Sequence, residues 1–109
     1  MNNITKVSDI TYQDIADYIR LNVDIDNNEI NTLNTLLKVS KAFICNYTGK
    51  TTAELDNYQD FIIVVFVLCQ DMYDNRTLYV DSDNLNKVVE TILGMHSTNL
   101  LPQVDGQWV

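Results

Sequence analysis

At 109 residues with 46% hydrophobic content, the chain has material for one core and not for two. Three glycines and one proline are too few for the frequent turns of a β-sandwich. A net charge of −8, with seven scattered Lys and Arg and no basic stripe, argues against a module that grips nucleic acid, because that affinity comes mainly from cations neutralising phosphates.

Along the chain, residues 1–10 are polar and read as a loose lead-in with no apolar stretch of signal-peptide length, so a reducing cytoplasm is expected. Thr11 begins the first clear element: its hydroxyl can cap the open amides of the first turn, Asp14 stands at the third helical position, and Ile10 can staple onto Ile15. A short helix is predicted from Tyr12 to about Leu21. The same grammar returns at Asp26, with Glu29 as the reciprocal capping residue and Ile25 stapling onto Ile30. Ile30, Leu33, Leu37, Ser40, Ile44 and Tyr47 then recur in steps of three and four, which predicts a long amphipathic helix ended by Gly49.

Thr51 and Glu54 predict a further capped turn, with a break at Asp56 and Asn57. The stretch DFIIVVFVLCQDMYDNR (60–76) opens with nine consecutive apolar residues, Phe61 to Cys69. Its β-branched and aromatic content favours a strand. However, the segment runs to Arg76 without Gly or Pro, far beyond usual strand length, and its apolar run is about half of a membrane span. A central helix is expected, apolar on nearly every side because others surround it. Thr77 to Asp81 reads as a connector. Ser82 or Asp83 is expected to cap a last helix from Asn84 to about Met95, with Leu85, Val88, Val89, Ile92 and Leu93 inward. The fold class is therefore all-α: a bundle of four to five helices around a central apolar helix, one domain over 1–96, and a flexible tail over 97–109.

Chemical motifs fail on spacing. TGKT at 48–51 lacks the glycine five residues before Gly49 that a phosphate loop requires; Ile44 stands there. DIDNNE at 24–29 has Glu29 and Thr35 where a calcium loop needs Gly and Glu, and DSDN at 81–84 likewise lacks the glycine. His96, the sole histidine, has no partner in a recognisable catalytic order and reads as a surface or helix-end residue. Cys45 and Cys69 lie in apolar runs as small hydrophobes, without disulfide or zinc spacing. No enzyme, cofactor or metal site is expected. Tyr73 and Arg76 close the central helix, and Arg76 is a candidate intersubunit contact; in the tail, Leu100, Leu101, Val104 and Trp108 are candidate interface residues, Trp being enriched at binding hot spots.

In order, a capped helix ending in YIRL (18–21), VDIDNNE (23–29) opening a long helix, NYTGKT (46–51), and an apolar helix closed by Tyr73, Asp74, Asn75 and Arg76 resemble the small head–tail connector proteins of tailed bacteriophages. The similarity covers about residues 9–95. The chain differs in lacking proline between Thr77 and Asp81. The resemblance implies a helical, non-catalytic adaptor in the virion, assembled in the host cytoplasm. It further implies a twelve-fold homo-oligomeric ring below the portal protein that docks the tail or a tail-completion protein and lets genomic DNA pass without sequence-specific binding. The alternative is a small cytoplasmic helical regulator that binds one protein partner. No membrane association is expected.

Overall fold

The computed structural model describes residues 4–19 and 26–97. Among them the regular structure is entirely helical: a 3₁₀ turn at Val7–Asp9, then α1 (Tyr12–Tyr18), α2 (Asn27–Thr48), α3 (Thr52–Leu55), α4 (Asp60–Asn75), a second 3₁₀ turn at Ser82–Asn84, and α5 (Lys87–His96).

Local punctuation sets most of the boundaries. At α1 the Thr11 amide donates to Asp14 Oδ2 at 2.8 Å and the Asp14 amide donates back to Thr11 Oγ1 at 3.4 Å, closing a capping box. Ile10 and Ile15 on either side of it are both buried, as is Val7 in the 3₁₀ turn packed on α4, so residues 7–10 are anchored in the core and are not the loose lead-in their polarity suggests. Asp26 caps α2 by accepting the Glu29 amide at 2.8 Å. Gly49 ends that helix at φ 76°, a left-handed conformation in which a side chain would crowd the backbone. Thr51 and Glu54 form the capping box of α3. Asp56, one of the two expected break residues, also reaches across the fold: its Oδ1 accepts the Ser8 amide at 2.9 Å, and that bond holds its carboxyl below the usual range.

Helix α4 is the axle. It packs against α1, α2, α5 and the first 3₁₀ turn, and it buries Phe61, Val64, Val65, Phe66, Leu68, Cys69 and Met72. At roughly 1.5–3 kcal/mol for each large apolar side chain removed from water, this surrounded surface outweighs the strand preference of IIVVFV. The buried face of α2 facing it carries Leu33, Leu36, Leu37, Ser40 and Ile44. Ser40 satisfies its hydroxyl on the Leu37 carbonyl at 2.9 Å and receives the Cys69 thiol at 3.6 Å. Burial pushes that thiol up to about 11, so Cys69 behaves as a small hydrophobe.

The last helix differs from its sequence expectation. Asp81, not Ser82 or Asp83, caps the turn at Ser82–Asn84, accepting the Asp83 amide at 3.2 Å. Leu85 and Asn86 then return to extended backbone (ψ 142° and 139°), and Asn86 caps α5 through the Val88 amide at 2.8 Å. Two Asx caps in series divide what reads as one helix, because each offers the backbone a local alternative to helical bonding. The inward face narrows accordingly. Val89 and Leu93 are buried, Leu85 and Ile92 are half-buried, and Val88 is 54% exposed.

Hydrogen bonds fix the helix directions. Tyr73 near the end of α4 bonds Glu29 near the start of α2, while His96 at the end of α5 bonds Asp60 at the start of α4. Helix α4 therefore runs antiparallel to both, and the bundle has two ends. None of the described helices is long and apolar enough to cross a membrane.

A candidate interaction groove at one end of the bundle

The groove forms where α2 begins and α4 ends. The hydroxyl of Tyr73 donates to Glu29 Oε2 at 2.8 Å, and this donation to a carboxylate pushes the Tyr73 phenol above its ordinary range. Glu29 is therefore not the reciprocal capping residue that its position after Asp26 suggests. Its amide takes the cap, but its carboxylate leaves the helix end for Tyr73, forty-four residues away. The half-buried Tyr73 hydroxyl needs an acceptor, whereas the amide of exposed Asp26 can donate to water, so the Glu29 carboxylate accepts from Tyr73.

Arg76 caps α4 in the left-handed region, at φ 58° and ψ 40°, the one non-glycine residue with positive φ among those described. Such a conformation costs about 1–2 kcal/mol for a residue with a Cβ. The turn is held by the Thr77 amide, which reaches back to the Met72 carbonyl at 3.0 Å, as in a Schellman closure. The guanidinium lies 5.5 Å from the centroid of the Tyr73 ring, a cation–π contact, and it makes no ion pair among the described residues.

Together these side chains bound a cavity of about 220 Å³. Leu36 and Met72 line its apolar interior, Tyr73 and Glu29 its polar side, and Arg76 stands beside Leu78, which is 57% exposed. The volume lies below the roughly 300–1,000 Å³ of small-molecule pockets, and it suits one or two side chains of another polypeptide. A hydrophobe beside a cation calls for an occupant that offers an apolar group and a carboxylate.

The opposite end holds the histidine. His96 Nε2 lies 2.9 Å from Asp60 Oδ2, with the Tyr58 and Phe61 rings 4.7 and 4.6 Å from the imidazole. The carboxylate is at the start of α4 and the imidazole at the end of α5, so the two helix termini meet here with their dipoles facing groups of complementary character. The neighbouring Ser97 hydroxyl donates to the Leu93 carbonyl at 2.7 Å and lies 3.5 Å from the Tyr47 carbonyl, so it is aimed at backbone and not at the imidazole. The expected helix-end histidine is correct in place but lacks no partner, since Asp60 supplies one from thirty-six residues earlier. Among the described residues, no group of three His, Cys, Asp or Glu converges as metal ligands would.

Of the predicted interface residues, Arg76 is at the groove. Leu100, Leu101, Val104 and Trp108 lie outside the described residues. Glu29 as a groove residue was missed by sequence reasoning. The available signal was Tyr73 at the end of an apolar helix, which announces the need for a partner but not its address. Comparison of the chain with protein-family models, curated proteins and solved structures finds no match.

Proposed function

We propose that this chain is a structural subunit of a tailed-bacteriophage particle, a head–tail connector without enzymatic activity. It forms a ring below the portal, continues the DNA channel and docks the tail or a tail-completion protein. The observation that carries the reading is the order and spacing of the helix-end motifs, VDIDNNE at 23–29, YTG at 47–49 and YDNR at 73–76. The groove lends support, because Glu29 of the first motif and Tyr73 and Arg76 of the last line it together. A chain with fifteen acidic and seven basic residues also suits a channel wall: it repels passing polyanion instead of holding it.

The test is incubation of the purified full-length chain with purified portal protein, followed by pull-down and electron microscopy. Rings seated on the portal are the expected result. A homogeneous monomer that never binds portal overturns the reading.

A further inference from the structure

The groove and the C-terminal end of α5 stand at opposite ends of the bundle. Ser97, the last described residue, is near the Tyr47 carbonyl and follows the His96–Asp60 contact at the start of α4. Arg76 and Leu78 are at the other end, one α4 length away, about 24 Å for its sixteen residues. Residues 98–109 (TNLLPQVDGQWV) carry Leu100, Leu101, Val104 and Trp108 with a single charged side chain, Asp105. An apolar segment with one carboxylate has the chemistry that a groove with one cation and an exposed leucine can accept.

We infer that the groove of one subunit receives residues 98–109 of a second copy of this chain, with Asp105 against Arg76 and Trp108 over Leu78 and the apolar interior. The second copy is favoured over the chain's own segment by reach. Asp105 is eight residues beyond Ser97, at most about 29 Å of fully extended chain. That exceeds the straight-line distance to its own groove by only about 5 Å, so docking within one subunit would need a nearly straight, fully extended path over the bundle. A neighbour stacked end to end brings its groove to within a few residues of Ser97.

Charge gives the contact its selectivity. Among the described residues, the other charges that bear on Tyr73 are Glu29 and Asp74, and Arg76 is the one cation that offsets them. Without it the charges that the described residues bring to the site are all negative and repel Asp105. A site at one end and its occupant at the other also make a head-to-tail contact, the kind that closes into a ring when the rotation between subunits allows. The inference rests on the ring-forming reading and names the contact that would build the ring.

Trp108 is the only tryptophan, so its emission reports occupancy of the groove directly. In the full-length wild type, the emission maximum should move to the blue as concentration rises, in step with the mass measured by sedimentation. Arg76→Glu and Asp105→Arg, each alone, should weaken association at least tenfold with helicity unchanged. An equimolar mixture of the two variants should regain both association and the blue shift. The acidic groove of the first variant then meets the basic arm of the second, and the converse pairing joins an unaltered groove to an unaltered arm. Rescue only when both substitutions share one chain, with no gain in mass, would mean docking within a subunit and overturn the inference. So would association indifferent to Arg76→Glu, or a wild type that stays monomeric with Trp108 in water at every concentration. Portal-bound rings that form equally well with Arg76→Glu would remove this contact and leave the connector reading standing. Self-association through this contact without any binding to portal would remove the connector reading alone.

Discussion

The two ends of the bundle are made from the same materials and finished differently. Each brings an aromatic residue, a carboxylate and a cationic or ionisable group to helix termini. At the α5 end, His96 is enclosed between two rings, bonded to Asp60, and flanked by a Ser97 hydroxyl that is itself bonded to backbone. Lys50 adds a cation over the Tyr58 ring at 5.0 Å. At the other end, Tyr73 and Glu29 are tied, but Arg76 makes no ion pair among the described residues, occupies a disfavoured backbone region and stands beside a cavity and an exposed leucine. A terminus whose polar groups are used up inside the fold contributes stability. A terminus that keeps backbone strain and an exposed cation beside a cavity is better suited to a partner.

This contrast can be broken by substitution. The largest effect is expected at the closed end, where Phe61→Ala removes a fully buried ring beside His96 and should cost about 3–5 kcal/mol in denaturant unfolding. His96→Ala and Asp60→Ala should each cost about 1–3 kcal/mol, and the double variant should cost much less than their sum, since either change alone leaves the other group without its partner. Additive losses would show that the pair does not act as a unit.

The open end should respond less. Tyr73→Phe is expected to cost about 1 kcal/mol, through the bond to Glu29. The same bond predicts a pH effect whose sign follows from the raised phenol. Its contribution is complete below the phenol's unfolded-state value, near 10, and is lost as pH rises through the higher folded value. Unfolding curves for wild type and Tyr73→Phe should therefore converge above pH 10, and parallel curves would refute the assignment. A change of similar size has the opposite sign. Arg76→Gly should stabilise the fold by about 1 kcal/mol by relieving the left-handed conformation, while weakening self-association. A variant that is more stable yet assembles less well would sharpen the difference between the ends more than any loss of stability.

Much of the fold was legible in the chain because its punctuation is local. Thr11 with Asp14, Asp26 before Glu29, Gly49, and Thr51 with Glu54 each act within about one helical turn, so a reader needs only neighbouring residues. The start of α5 was misjudged for the same reason turned round. DSDNLN offers several side chains able to cap, and the competition between Asp81 and Asn86 is settled by where Leu85, Val89 and Leu93 find core to pack against. Val88 shows the outcome: apolar in sequence, exposed in the fold. Arg76 was identified as a candidate contact. Its left-handed backbone and the cavity beside it were not, because neither is a property of the residue type.

By itself the sequence determined the number and type of the helices, most of their termini and the apolar weight of Phe61 to Cys69, all of which follow from near-neighbour sterics and hydrophobic patterning. The tertiary structure alone decided that Glu29 belongs to Tyr73 and His96 to Asp60, pairs forty-four and thirty-six residues apart that only antiparallel packing around α4 brings within bonding distance. It also decided which end of the bundle closed on itself and which stayed open.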